Sequence, residues 1–232
     1  MTDIEKFKKL GLSEEAIAAI SKKGFEEPTP IQILTIPKMF NDNGNIIVQS
    51  QTGTGKTAAF GLPLIEMIDT KERNVHAIII TPTRELAIQV SEEINSLKGE
   101  SGIQTIPVYG GQSIDQQLRR LKKGVHIVVG TPGRVIDHLK RKTLNLKDIE
   151  YLILDEADEM LNMGFIDDVE EIMKYTNPQK RILLFSATIP ARIKALAKNY
   201  MGDYEFITID KQNPGSKSWK IADEAGLQVA TA

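Results

Sequence analysis

The stretch Asn45-Ile46-Ile47-Val48-Gln49-Ser50-Gln51-Thr52-Gly53-Thr54-Gly55-Lys56-Thr57 decides how the rest of this chain reads. Ile46, Ile47 and Val48 form a continuous apolar run, the signature of a buried strand, and it leads into a glycine-rich turn followed by helix formers. A turn of that composition suits phosphate. Its glycines let backbone N–H groups face inward, and the helix that follows presents its positive end to the same anion. Gln51, Thr52, Gly53, Thr54 and Gly55 would line the cradle, Lys56 would reach the outer phosphates, and the Thr57 hydroxyl would ligate magnesium. The general pattern GxxxxGK[ST] puts its first glycine where this chain has Ser50, so an ordinary strand-turn-helix carrying GTGKT by chance is the competing reading.

Upstream, Ala16, Ile17 and Ile20 recur at helical spacing behind Ser13, a good N-cap with Glu14 and Glu15 in the first turn, and Gly24 ends that helix. The segment Gly24 to Gln32 leads into a second helix, Ile31 to about Phe40, where Thr29 can cap and Pro30 suits the first turn. Gln32 sits just inside it. An amide there is either a solvated surface group or, beside a phosphate loop, a reader of the adenine edge. Downstream, a helix to about Ile68 precedes the strand Ala77–Ile80, and another to about Leu97 precedes the strand Gln104–Tyr109, closed by Gly110-Gly111. A helix Ser113–Leu121, a strand Val125–Val129, a turn Gly130–Arg134 with a helix to about Lys140, and strands Tyr151–Leu154, Arg181–Phe185 and Glu205–Ile209 complete the series. This alternation predicts an α/β fold with right-handed crossovers and a mostly parallel sheet covered by helices on both faces. Ligands of such sheets gather at the carboxyl ends of the strands, where the polar turns would all lie.

The bulk composition bounds the function. With 232 residues, 41% hydrophobic and 26% charged, the chain reads as one large globular domain and not as a disordered or collagen-like one. A net charge of −2 carries no overall footprint of a nucleic-acid binder, so such a site must be a local patch. The absence of cysteine excludes disulfides, thiolate metal sites and a thiol nucleophile. No apolar run approaches the roughly 18 residues of a membrane span, and the opening MTDIEKFKKL is too charged for a secretory signal, so a cytoplasmic location without membrane contact is expected. His76, His126 and His138 have no metal-site spacing and read as structural.

Asp155 directly follows the strand Tyr151–Leu154, where a nucleotide hydrolase needs a carboxylate to hold magnesium opposite the loop threonine, and Glu156 could take a proton from an attacking water. Two acids at a helix start could equally serve the helix dipole. A single metal ion shared by Thr57 and Asp155 favours the first reading.

Taken in order, GFEEPTPIQ (24–32), SQTGTGKT (50–57), PTRELA (82–87), Gly110-Gly111, TPGR (131–134), DEAD (155–158) and SAT (186–188) resemble the first RecA-like domain of the DEAD-box RNA helicases, over roughly Phe7 to Tyr204. The resemblance implies a RecA-like P-loop NTPase domain that uses ATP and magnesium, and it does not need a glycine in place of Ser50. It implies that Gln32 reads adenine with Phe25 framing the base and Phe7 in the same element. Lys56 and Thr57 would bind phosphates and magnesium, Asp155 the magnesium, and Glu156 would activate water. Ser186 and Thr188 would link the nucleotide site to RNA binding through Asp158. Pro82, Thr83, Arg84, Gly110, Gly111, Thr131, Gly133 and Arg134 would grip the sugar-phosphate backbone of RNA, which backbone N–H groups at glycine turns and helix starts can do without reading sequence. Arg84 and Arg134 could instead form internal ion pairs. The basic runs Arg119–Lys123 and Lys140–Lys142 read as solvated helix faces.

The chain departs from the family at one large scale: the second RecA-like domain, whose arginines stabilise the transferring phosphate, is missing, and no HRIGRxGR string follows Thr188. The expectation is therefore a domain over 1–210 and a tail over 211–232. That tail is a terminal helix (Ile221 to Val229), a linker remnant, or residues appended around Gly215-Ser216. The expected function is the N-terminal catalytic half of an ATP-dependent RNA helicase, weak in hydrolysis by itself. A nucleotide- and RNA- or partner-binding module without useful turnover, and a P-loop ATPase acting on DNA or protein, are the alternatives.

Overall fold

Ile, Val and Leu fill the central strands without polar interruption, so each must be covered from both sides, and burial along whole strands bears this out. The structure is a computed structural model describing residues 4–208 and the strand segments 218–223 and 226–231. In order the elements are α1 (Ile4–Lys8), α2 (Glu14–Lys22), α3 (Pro30–Asn41), β1 (Asn45–Gln49), α4 (Lys56–Met67), β2 (Ala77–Ile80), α5 (Arg84–Leu97), β3 (Thr105–Val108), α6 (Ile114–Lys122) and β4 (Ile127–Gly130). They continue with α7 (Pro132–Lys140), β5 (Tyr151–Leu154), α8 (Ala157–Asn162), α9 (Ile166–Met173), β6 (Arg181–Ser186), α10 (Ala191–Tyr200), β7 (Tyr204–Thr208), β8 (Ser218–Asp223) and β9 (Gly226–Thr231).

Strands β1 to β7 are parallel in the spatial order β3-β4-β2-β5-β6-β1-β7, and β8 and β9 add antiparallel beyond β7. Alternate residues face opposite ways. Ile46, Val48, Ile79, Ile153, Leu183 and Phe185 join α1 to α5 in one core. Ile47, Ile78, Ile80, Leu152, Leu154 and Leu184 join α7 to α10 in a second. The expected sheet with helices on both faces is what forms.

The Ser13 cap falls where the sequence puts it, Oγ accepting from Ala16 N at 3.2 Å, and Thr83, not read as a cap from the sequence, caps α5 by accepting from Leu86 N at 3.2 Å. Helix α3 is tied at its far end by Arg181, a buried side chain that donates to the carbonyls of Gly44 (2.7 Å), Met39 (2.9 Å) and Lys38 (3.0 Å). The tail corrects one expectation. Ile221 to Val229 is not a helix but lies in β8 and β9, because the edge of β7 offers an unpaired backbone that a strand can complete. The segment around Gly215-Ser216 lies outside the described residues. Among the described residues, no helix is long and apolar enough to cross a membrane.

Candidate functional site

β1 ends in the glycine turn, and Gly55 (φ 87°) caps α4 so that the helix starts at Lys56 with its free amides facing outward. A cleft of about 370 Å³ opens there, walled by Thr52, Gly53, Gly55, Lys56 and Thr57 from the loop, Asp155 and Glu156 from the end of β5, and Phe25. Thr57 and Asp155 thus share one cavity although β6 lies between their strands. Leu86, Gln89 and Glu93 of α5, which the sequence reading did not single out, form its far wall. Gln51 and Thr54 stand just outside: Thr54 Oγ1 donates to Gln51 O at 2.8 Å and braces the turn, and Gln51 faces an adjoining cleft of about 450 Å³ with Asp158.

Charge in the cleft is out of balance. Lys56 Nζ lies 3.4 Å from Asp155 Oδ1 and 3.8 Å from Glu156 Oε1, all three largely withdrawn from solvent. Burial pushes the Asp155 carboxyl above its ordinary range, and Lys56 offsets this only in part. Burial likewise raises Glu156, against the pull of Lys56 and with a further push from Asp155. Asp155 Oδ1 is buried and receives no hydrogen bond of ordinary geometry, its one cationic neighbour being the Lys56 ammonium at 3.4 Å. Glu156 is the N-cap of α8 but makes no capping hydrogen bond, and it holds a left-handed φ of 57°, a strained conformation for a residue with a side chain. Service to the helix dipole alone explains neither feature.

Gln32 is neither solvated nor on the cleft wall. It is 1% exposed, and with Thr29 it forms a capping box at the start of α3: its Oε1 accepts from Thr29 N at 3.0 Å. Its Nε2 donates to Gly55 O at 3.2 Å, so the amide is fastened to the glycine turn. A Cβ on Gly55 would come within 2.5 Å of that nitrogen. Phe25 lines the cleft, and Phe7, fully buried, packs behind it edge to face at 6.3 Å.

Asp158 and the end of β6 are joined. Thr188 donates to Asp158 Oδ2 from both its amide and its hydroxyl at 2.9 Å, and Ala187 N approaches Oδ1 at 3.4 Å. Ser186 Oγ accepts from Asp158 N at 3.0 Å and donates to Thr188 O at 2.7 Å. Burial raises the Asp158 carboxyl, but the hydrogen bonds from Thr188, Ser186 and Ala187 together outweigh it and hold the group below its ordinary range.

The remaining turns follow β2, β4 and the edge strand β3. Arg84, at the start of α5 after β2, is exposed and lies over the Tyr109 ring at 4.9 Å, with Gly110 and Gly111 just past it at the end of β3. Arg134 in α7, after β4, donates to Gln112 O at 3.1 Å and to Gln117 Oε1 at 3.4 Å. Neither arginine forms an ion pair among the described residues, which corrects that reading of both. Thr131 N bonds to Val108 O at 3.1 Å, Gly133 is exposed, and Pro82 is buried beneath Thr83, where it shapes the turn without offering surface. His76, His126 and His138 are all buried. Tyr109, Gln112 and Gln117 were missed; for Gln117 a signal existed, since position 117 shares a helical face with Ile114, Leu118 and Leu121.

Comparison with known proteins follows the same lines. The DEAD/DEAH box helicase model matches residues 29–196. Over 201 residues the chain is 57% identical to a protein of Methanocaldococcus jannaschii named as a probable ATP-dependent RNA helicase, covering 87% of this chain and 54% of that one. It is 50% identical over 203 residues to the DEAD-box ATP-dependent RNA helicase CshA of Geobacillus kaustophilus, covering 88% of this chain and 43% of the relative. The crystal structure of a DEAD box protein from Methanococcus jannaschii superposes with a TM-score of 0.86 at 55% identity, covering 92% of this chain and 58% of that chain. A hypothetical ATP-dependent RNA helicase from Sulfolobus tokodaii gives 0.78 at 37% identity, covering 85% and 57%. The chain spans about half the length of the curated relatives it matches.

Proposed function

The chain belongs to the DEAD/DEAH box helicase family, and from that premise we propose that it is the ATP-binding half of an RNA helicase, holding ATP and magnesium on one stretch of its strand-tip rim and single-stranded RNA on the next. The observation that carries this reading is the strand order. Along β3-β4-β2-β5-β6-β1, the first three tips bear the turns of Tyr109–Gln112, Thr131–Arg134 and Thr81–Arg84, and the last three bear Asp155–Asp158, Ser186–Thr188 and the glycine loop. Nucleotide and RNA would thus lie side by side on one edge, with Asp158, Ser186 and Thr188 near the boundary as the coupling group.

Within the nucleotide half, the amides of Gly53 to Thr57 and the Lys56 ammonium would hold the phosphates. The donor set fits magnesium. Asp155 Oδ1 is a buried oxygen that Lys56 approaches only to 3.4 Å, the Thr57 hydroxyl shares its cleft, and no group of three or more His, Cys, Asp or Glu among the described residues forms a protein cage. When bound, magnesium supplies neutralising charge to the phosphates. Glu156, its carboxyl made more basic by burial and facing the same cleft, would accept the proton of the attacking water. Gln32 keeps one N–H and one lone pair beyond its bonds to Gly55 and Thr29, enough to meet an adenine edge once uncovered.

RNA would be held by the exposed arginine and glycine turns through its backbone, without sequence preference. Because the chain spans about half of its relatives, hydrolysis by this chain alone is expected to be slow, with a second RecA-like domain supplying the missing cations. The test is Glu156→Gln in this chain joined to a family second domain. ATP affinity should stay within about threefold while hydrolysis falls by roughly 10²-fold or more. Unchanged hydrolysis would remove Glu156 as the base.

A further inference from the structure

Gln117 is the one polar side chain of α6 that is buried, at 1% exposure, and every atom of its amide is spoken for. Its Nε2 donates to Tyr109 O at 3.0 Å and to Gln112 Oε1 at 3.1 Å. Its Oε1 faces Arg134 Nη1 at 3.4 Å and His138 Nε2 at 3.0 Å. The partners leave no freedom in how the amide is placed. A backbone carbonyl can only accept, so nitrogen must face Tyr109; a guanidinium can only donate, so oxygen must face Arg134. His138 Nε2, pointing at that same oxygen, must carry a proton. Its Nδ1 lies 2.8 Å from the Thr143 hydroxyl, which can donate to the ring or to His138 O at 3.1 Å. The fully buried imidazole is thereby fixed in one tautomer, with burial and the Arg134 charge lowering its affinity for a second proton.

This buried amide joins turns that belong to different strands. Tyr109 and Gln112 bracket the glycine pair after β3, Arg134 follows β4, and the Tyr109 ring also carries Arg84 from the tip of β2. We infer that Gln117 is a positioning residue for RNA binding: with His138 setting its orientation, it locks the glycine turn and Arg134 into one preformed surface, so that RNA meets an arrangement already made. The inference rests on the RNA half of the reading above. Preorganisation matters because each exposed side chain or turn ordered only on binding subtracts from affinity.

The test uses the whole chain with Gln117→Met, which keeps the volume and loses both polar functions, and Gln117→Glu, which keeps an acceptor for Arg134 and His138 but loses the donor to Tyr109 O. Hydrogen–deuterium exchange without RNA reads the lock directly. The Met variant should speed exchange in both the 109–113 and 130–135 segments, the Glu variant mainly in 109–113, and neither in the 52–58 loop. Binding of a fluorescent poly(U) oligonucleotide should weaken about tenfold in the Met variant, while ADP affinity stays unchanged. Gln117→Met added to Arg134→Ala should weaken binding little beyond Arg134→Ala alone. Equal exchange changes in Met and Glu variants, faster exchange everywhere, or losses that simply add in the double variant would overturn the positioning role. Altered exchange in a chain whose parent binds no oligonucleotide would instead leave the lock standing and overturn the RNA reading on which its purpose rests.

Discussion

Burial lifts the carboxyls of Asp155 and Glu156, while bonds from Thr188, Ser186 and Ala187 hold Asp158 down, so neighbouring acids of one turn respond to pH in opposite senses. A carboxyl raised in the folded state binds its proton more tightly there. Its contribution is fullest in acid and is lost as pH rises from the unfolded value through the folded one. A lowered carboxyl does the reverse: it stabilises above the unfolded value, and this is lost as pH falls through the folded one. Glu156→Gln should therefore raise the thermal midpoint at pH 7.5, by about 2 °C after allowing for partial exposure, and the gain should vanish below the ordinary glutamate value of 4.5. Asp158→Asn should lower the midpoint at pH 7.5 and have little effect in strong acid. Scanning calorimetry across pH checks both, and a pH-independent Glu156→Gln effect would contradict the raised carboxyl. At this scale the sequence was legible where chemistry shows in residue type: Lys56, Thr57, Asp155 and Glu156 do converge on one cleft. It was illegible where distant partners decide. Nothing in the strings around Gln32 and Gln117 says that one is fastened to Gly55 O or that the other holds Tyr109 O and Arg134.

Helix α3 shows how an element far from the sheet centre is held to the site. One end meets the glycine loop through Gln32, and the other is closed by the Arg181 guanidinium across Lys38, Met39 and Gly44 carbonyls. Met39 O is one of the orphan acceptors every helix end leaves, Lys38 O also takes the Asp42 amide at 3.1 Å and Gly44 O follows the helix, and a buried cation satisfies this cluster while complementing the dipole. Arg181→Met fills the space but strands the acceptors. It should destabilise the domain by about 3 kcal/mol in urea titration, and a loss under about 1 kcal/mol would show that water replaces the guanidinium. Elements with punctuation were readable in the sequence: α2 and α3 follow Ser13 and Thr29, and the buried strands are unbroken apolar runs. Helices α9 and α10 went unread because their N-caps are Phe165 and Pro190, neither of which makes a side-chain cap bond.

At the scale of the whole molecule, the sheet edge sorts its turns into adjoining halves, and their communication must cross from β2 to β5. Asp155 N bonds there to Ile80 O at 3.0 Å, one residue before the Thr81–Arg84 turn begins. If the chain is, as proposed, one half of a two-walled site, it should respond to RNA only when the other wall is supplied. Joined to a family second domain, the chain should show RNA-stimulated ATP hydrolysis, with turnover rising on the order of 10³-fold over the chain alone. Steady-state phosphate release with and without RNA measures this, and stimulation by duplex DNA in place of RNA would favour a DNA-acting ATPase. The fold itself was legible from alternation alone. The tail was not, because pairing at an open edge depends on what that edge lacks and not on the string that fills it.

Gly55 lies where an added methyl would strike Gln32 Nε2, 23 positions upstream. A mutation there is therefore not tolerated or rejected by the phosphate loop alone. A side chain at 55 is opposed twice, by the amide at 32 and by the left-handed backbone at φ 87°, so a lineage that surrendered the amide would still be held to glycine.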